Sequence, residues 1–228
     1  MKIDKLKFTL WIISAICAFL IFKTSPDETM SIFKNTSIES WFQPFSNGNT
    51  IIFSISMGFI VSMIFYLFVA WLPEKRKRDI IRKHLNKTYN DFKEKVISIF
   101  LGINSENNSI DIVKELTDQD KFKKHFNGDK WNKVFNDISD LYKNDLLIEL
   151  EILLQEIIYV LNNIPITDEN VFNFFKNLSK SVYEIKNSSF DYDDKKVVFG
   201  FLWHLFTGWS WIEGYRKDDI VKEMIKKI

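Results

Sequence analysis

The 228-residue sequence is poor in the residues that stabilise small disulfide-linked or strand-rich folds. Cys17 is the single cysteine, so no disulfide can form within the chain and a disulfide scaffold is excluded. Glycine occurs 7 times and proline 4 times, below the usual ~7% and ~5% of residues. Because strand-rich folds need many tight turns, this shortage favours an all-α fold.

Motifs of common catalytic and nucleotide-binding sites are also missing. The phosphate-binding loop, the G-x-G-x-x-G fingerprint and the G-x-S-x-G elbow do not occur. His84, His125 and His204 have no cysteine, histidine or carboxylate at a recognisable metal-binding spacing. The sequence therefore predicts no enzymatic activity, no cofactor and no metal site.

Aromatic residues make up 16% of the chain, which excludes a disordered protein. Lysine, asparagine, isoleucine and phenylalanine are abundant, and their codons are AT-rich, so a bacterium of low GC content is the expected source. Hydrophobic residues at 46% and charged residues at 27% match an average soluble protein. That average conceals two apolar runs near the start of the chain.

Residues 51–72 form the longer run, 22 residues without a formal charge. As a helix they would extend roughly 33 Å, against a hydrocarbon core of about 30 Å. Tyr66 and Trp71 lie toward the end of the run, where amphipathic rings favour the headgroup layer. The run predicts a transmembrane helix, and Pro73 is expected to break or kink its exit.

Residues 8–22 form the shorter run and predict a first span over about 6–24, if flanking lysines reach toward the interfaces. A cleaved signal peptide is the alternative, but no A-x-A cleavage pattern follows the run. A lipoprotein site at Cys17 would require a small residue before it, and Ile16 fits poorly. An uncleaved membrane helix is the favoured interpretation.

The distribution of positive charge predicts the orientation of the two spans. Residues 1–7 carry three lysines, and residues 75–87 carry seven lysines and arginines against Asp79. The positive-inside rule then places both termini in the cytoplasm and the loop 25–50 outside. We therefore expect residues 1–72 to form a transmembrane hairpin in the bacterial inner membrane and residues 73–228 to form a cytoplasmic multi-helix domain.

The basic residues after the second span, here termed the basic collar, are Lys75, Arg76, Lys77, Arg78, Arg82 and Lys83. Such a cluster sets topology and contacts anionic lipid of the bilayer. Direct nucleic-acid binding is less favoured, because residues 88–228 contain 24 acidic against 19 basic side chains and would repel a phosphate backbone.

Small residues recur every four positions in the second span at Ser54, Gly58 and Ser62. This small-residue stripe lies on one helix face, and such faces let helix backbones approach closely in lipid. It predicts close packing, either within the hairpin or between copies in a homo-oligomer.

Apolar spacing in the remaining chain predicts a series of helices. The first covers residues 74–101, with an apolar stripe at Ile81, Leu85, Phe92, Val96 and Ile99/Phe100. Another follows Asp129 over 129–142. Asp145 is expected to open a strong helix over 146–164. Thr167 or Asp168 is expected to cap the next helix.

Residues 197–212 contain 16 residues without a formal charge, but are more polar than the first two runs. A buried core helix is favoured over an interfacial or re-entrant segment and over a third span. Immediately before this run, Asp191, Asp193 and Asp194 form the densest acidic cluster. A helix cap is the favoured role for that cluster, and a cation site or catalytic carboxylate pair is the alternative.

The hairpin, the exit WLPEKRKR at residues 71–78 and the tail FLWHLFTGWSWIEGYRKDDI at 201–220 resemble the two-transmembrane effectors of bacterial retron antiphage systems. The resemblance implies that a reverse transcriptase with its noncoding RNA–DNA product holds the protein inactive. It further implies that phage interference releases the protein, which then damages the inner membrane in abortive infection. A membrane-tethered scaffold or regulator that binds a cytoplasmic partner is the alternative function.

Overall fold

The computed structural model describes residues 5–25, 39–210 and 214–228 of the chain. The helices within these ranges are α1 (Lys5–Thr24), α2 (Asn49–Tyr66), α3 (Leu72–Ile103), α4 (Ile110–Leu116), α5 (Gln119–His125), α6 (Asp129–Asn136), α7 (Asp140–Asn163), α8 (Glu169–Lys186), α9 (Tyr192–Thr207) and α10 (Ile220–Lys227). A 3₁₀ turn covers Glu39–Phe42, and a π-helical segment covers Leu67–Trp71. The described strands are β1 (Trp209–Ser210) and β2 (Gly214–Tyr215), which pair antiparallel. The all-α prediction is confirmed, with a short ribbon added.

The chain divides into two compact units, Met1–Arg76 and Lys77–Ile228. In the first unit, α1 and α2 pack against each other. Phe19 of α1 lies 5.5 Å from Phe42 between the ring centroids, which fixes the 3₁₀ turn against α1. The described part of the first unit therefore contains two apolar helices and a 3₁₀ turn that packs on α1.

Of the break or kink expected at Pro73, the break does not occur, because α2, the π-helical segment and α3 form one continuous helix, Asn49–Ile103. Proline has no N–H, and its ring collides with the carbonyl four residues earlier in a regular α-helix. The π-helical segment stands directly before the proline, where the Leu72 N–H donates to the Leu67 carbonyl five residues back. This wider turn accommodates the proline without ending the helix.

The second unit has an aromatic core around Phe100 of α3. Its ring centroid lies 5.4 Å from that of Trp131, edge to face, 5.9 Å from Phe126 and 6.1 Å from Phe206. The apolar stripe predicted along α3 faces this core, and its buried members include Ile81, Leu85, Phe92, Val96 and Phe100. Helical periodicity therefore identified the buried face of α3 correctly.

Two predicted helix boundaries in the second unit are wrong. The helix expected over 129–142 is interrupted, because Ser139 accepts the Tyr142 backbone N–H at 3.5 Å and starts α7 there. Asp145 consequently lies inside α7 and does not open it. Of the two caps expected for the next helix, Thr167 or Asp168, Asp168 is the one observed, since its carboxylate accepts two backbone N–H groups of α8.

The uncharged run 197–212 is a core helix as far as Thr207, and its buried side chains are Val198, Phe199, Leu202, Leu205, Phe206 and Thr207. Trp209 and Ser210 then form β1, which pairs with Tyr215 and Gly214 of β2. The last two residues of the run lie outside the described residues.

Gly208 ends α9 in the left-handed region, with φ of 67°, and its N–H donates to the His204 carbonyl at 3.0 Å. A Cβ at this position would lie 2.8 Å from Gln119 Nε2 and 3.0 Å from the Arg216 backbone oxygen. Glycine is favoured here, because any other residue is strained in this backbone conformation and its Cβ would displace the Gln119 side chain and press on the Arg216 backbone oxygen.

Replacing Gly208 with alanine is expected to lower the free energy of unfolding by about 2–4 kcal/mol, through left-handed strain and overpacking. Gly200 is the matched control, because it lies inside α9 and a Cβ there meets nothing within 4 Å. Gly200→Ala should leave stability unchanged or raise it by up to about 1 kcal/mol. Chemical denaturation followed by circular dichroism measures both, and equal losses would contradict the assignment.

Candidate functional site

The surface of α2 is apolar, and its sequence contains no charged residue. Its exposed large apolar side chains are Ile51, Ile55, Met57, Val61, Ile64 and Phe65. Among the described residues, one helix is long and apolar enough to cross a membrane, and its apolar part is almost wholly unburied. A core helix of a soluble domain would bury such a surface, so α2 is the principal membrane candidate.

The apolar part of α1, Phe8–Thr24, is shorter and would extend about 26 Å as a helix. Two of its hydroxyl groups bond within the helix: Ser14 Oγ donates to the Leu10 carbonyl at 2.8 Å, and Thr24 Oγ1 donates to the Leu20 carbonyl at 2.7 Å. Such internal bonds let hydroxyl-bearing residues lie in an apolar medium without an outside partner.

Lys23, near the end of α1, contacts the segment that precedes α2. Its ammonium donates to the Trp41 carbonyl at 3.0 Å and lies 4.8 Å from the centroid of the Phe45 ring. Asn49, the first residue of α2, exchanges two hydrogen bonds with the Phe45 backbone. Lys23 therefore binds the segment between the two helices, at the position where the sequence predicted a lysine reaching for the membrane interface.

The small-residue stripe lies on the exposed surface of α2: Ser54, Gly58 and Ser62 are all exposed. A Cβ at Gly58 would meet no atom of another element within 4 Å. Ser56, by contrast, is only 2% exposed, and it lies about 160° around the helix from the centre of the stripe. The buried side of α2 is thus the opposite one, and close packing of the stripe stays a prediction.

The basic collar is largely solvated. Lys75 and Arg76 at the end of the first unit are exposed, as are Lys77 and Lys83 in the second. Arg78 and Arg82 are half-buried, and Arg82 donates to the Asp79 carboxylate at 2.9 Å. The Lys75 ammonium lies 5.1 Å from the centroid of the Trp71 ring. Exposed cations beside an apolar helix suit contact with anionic headgroups, and that contact stays a prediction.

A buried polar cluster in the second unit was not foreseen. Lys93 of α3 is 1% exposed, and its ammonium donates to Asp219 at 3.2 Å and to the Thr117 carbonyl at 2.9 Å. The Tyr89 hydroxyl donates to the same carboxylate at 3.1 Å. Asp219 also caps α10 by accepting two backbone N–H groups. The cluster therefore ties the start of α10 to the middle of α3.

Burial sets the protonation properties of this cluster. It lowers the pKa of Lys93 from 10.5, while the charge of Asp219 acts in the opposite direction. It raises the pKa of Tyr89 well above 10.0, and Asp219 adds to that rise. The only sequence signal was a lysine inside the apolar stripe of α3, four residues from Tyr89, which apolar periodicity alone does not distinguish from a solvated position.

The remaining residues singled out in the sequence have structural roles here. Asp191 accepts the backbone N–H groups of Asp193 and Asp194 at 3.1 and 2.9 Å, which confirms the helix-cap interpretation. His204 packs on Trp209 with ring centroids 4.6 Å apart, and partial burial lowers its pKa. Among the residues that the structure describes, no three metal-ligating side chains come together.

Comparison of the chain with protein-family models, with curated proteins and with solved structures finds no match in any of the three.

Proposed function

We propose that the protein is a multi-pass protein of the bacterial inner membrane. In this arrangement α1 and α2 form a transmembrane hairpin, both termini are cytoplasmic, and the second unit is a cytoplasmic helical domain. The exposed, charge-free surface of α2 supports the span, because exposing an apolar surface to lipid carries no unfavourable solvation free energy. The charge of residues 75–87 supports the orientation.

The proposed activity is that of a membrane effector in an antiviral, abortive-infection system. The observation that supports this activity is the small-residue stripe, which lies on the exposed side of α2. In lipid, such a stripe favours association with a second copy, and its serine hydroxyls can face a wet lumen between copies. Association of several hairpins would then open a path for ions across the inner membrane.

The resemblance to retron effectors supplies the proposed restraint on this activity. A complex of reverse transcriptase and noncoding RNA would bind the cytoplasmic unit and hold the hairpins apart until phage interferes. Co-expression of that complex should therefore suppress membrane damage. A reverse transcriptase gene adjacent to the gene for this protein is the expected genomic arrangement.

Overexpression of the protein should depolarise the inner membrane, as measured with a potential-sensitive dye, and Gly58→Leu should abolish depolarisation. Leucine at Gly58 would hold the two helix backbones apart and prevent close packing of the stripe. Immunoblots of the membrane fraction must show equal amounts of both proteins.

The matched control is Ile64→Phe, which also adds bulk to α2. Ile64 is exposed and lies about 120° around the helix from the stripe. This variant should depolarise cells as the unmodified protein does. Depolarisation by Gly58→Leu would remove the argument from the stripe, and cells that stay polarised under every trigger would contradict the effector function.

A membrane-tethered scaffold is the second candidate function. It is favoured by the second unit, which has its own packed core yet exposes large apolar side chains along α7. Exchanging the hairpin for an unrelated two-span anchor separates the candidates. A scaffold should keep its function after the exchange, whereas a membrane-disrupting effector should lose it.

A further inference from the structure

Two clefts lie between α3 and α7 in the second unit, and together they are here termed the α3–α7 groove. The first has a volume of about 340 Å³ and is lined in part by Lys95 of α3 and Asp145 of α7. The second has a volume of about 620 Å³ and is lined in part by Thr88 of α3 and by Ile152 and Tyr159 of α7.

Along the groove, α7 carries an exposed apolar stripe made of Leu141, Ile148, Ile152 and Tyr159, of which the last three line the clefts. These four side chains are between 49% and 69% exposed. Their separations of seven, four and seven residues place them on one helix face over about 27 Å. This spacing is the one by which a helix presents a seam to a second helix. An unpartnered apolar strip of this length marks an interaction surface.

The charge around the stripe identifies its occupant. The α7 helix contains five acidic residues against one basic residue, Lys143. Glu151 is paired with Lys186 and Glu156 with His84, whereas among the described residues Asp145 and Glu149 form no ion pair. On the α3 side, Lys95 offsets part of the negative charge at Glu149, and Asp91 adds to it. Two copies joined through this face would bring acidic edges together and repel. A partner with basic edges would complement Asp145 and Glu149.

We propose that the α3–α7 groove binds an amphipathic helix of another protein, apolar on one face and rich in lysine or arginine along its edges. Its apolar face would cover Ile148, Ile152 and Tyr159, and its basic edge would meet Asp145 and Glu149. Helices of this kind commonly bind in apolar grooves through residues at three- and four-residue spacing. This binding is a property of the second unit and does not depend on the proposed membrane activity.

The test uses the full chain in nanodiscs of zwitterionic lipid and two labelled helical peptides of about 18 residues. Both peptides carry leucine at alternating three- and four-residue spacing; one has lysine and the other glutamate along the edges. Fluorescence anisotropy measures binding after subtraction of the signal from empty nanodiscs. The basic peptide should bind at least tenfold more tightly than the acidic one, and added salt should reduce that difference.

Ile152→Lys should weaken binding of the basic peptide about tenfold or more, by removing an apolar contact and adding a like charge. Ile110→Lys is the matched control, because Ile110 is 70% exposed but lies on α4. It should leave binding unchanged. The double variant Asp145→Asn, Glu149→Gln should reduce the preference for the basic peptide.

Three results would overturn the proposal. Equal binding of the two peptides, or equal loss in the Ile152 and Ile110 variants, would show that the groove does not select a basic helix. Self-association of the protein that Ile152→Lys abolishes would assign the groove to a second copy. Peptide binding no greater than that of empty nanodiscs would assign the signal to lipid.

Discussion

Asp219→Ala is expected to lower the free energy of unfolding by about 3–5 kcal/mol, the usual effect of breaking a buried ion pair. The substitution leaves the Lys93 ammonium buried without its carboxylate partner and removes the acceptor of the Tyr89 hydroxyl. It also removes the cap of α10. Urea denaturation followed by tryptophan fluorescence measures the loss.

Asp168→Ala is the matched control, because Asp168 caps α8 through the same kind of backbone hydrogen bonds. Loss of a cap alone should cost about 1 kcal/mol. The double variant Lys93→Met, Asp219→Asn removes both charges and should recover much of the stability. Equal losses for Asp219→Ala and Asp168→Ala would show that the ion pair does not stabilise the fold.

The stability deficit of Asp219→Ala should shrink as pH rises toward 10. Burial holds the pKa of Lys93 below 10.5 in the folded state, whereas the lysine of the unfolded chain has its ordinary pKa of 10.5. At pH values between the folded-state pKa and 10.5, the unfolded state therefore binds more protons. Stability therefore rises with pH in that window. Removing Asp219 removes a charge that raises the pKa of Lys93. The interval between the folded-state and unfolded-state pKa values of Lys93 is therefore wider in the variant. The stability of the variant consequently rises more with pH than that of the unmodified protein.

Val61→Arg is expected to impair membrane integration of α2, because an arginine at the centre of a span costs about 2.5–3.5 kcal/mol. Val61 lies at the middle of the apolar run 51–72 and is exposed. Adding Phe65→Arg should reduce the share of the protein that resists alkaline carbonate extraction, because only α1 of the proposed hairpin then remains as an anchor. A reporter fused to the C-terminus should no longer lie on the cytoplasmic side of the membrane in every copy of the protein.

Ile80→Arg serves as the control for this experiment. Ile80 is also an exposed apolar residue on the same continuous helix, but it lies among the charged residues of α3. Arginine there should leave integration unchanged. If both substitutions leave the protein in the membrane to the same extent, α2 does not span the bilayer.

Several elements followed directly from local patterns. The buried stripe of α3 and the cap at Thr167 or Asp168 depend on residues within a few turns of one another. The interruption at Ser139 did not follow, because apolar periodicity continues from α6 into α7 across the break. The sequence also did not decide between a break and a kink at Pro73, since the π-helical turn that accommodates the proline has no sequence signature.

The contacts that define the candidate sites joined distant parts of the chain. Lys93 and Asp219 are 126 residues apart, and the sequence around neither residue indicates that the two side chains are in contact. The uncharged run at 51–72 and the positive charge of 75–87 could be recognised in the sequence alone. The free energy of transfer into lipid depends on the residues of the segment itself and not on distant contacts. Which side of α2 is exposed, which lysine is buried and which face of α7 borders a groove depend on how helices meet, and packing alone assigns those faces.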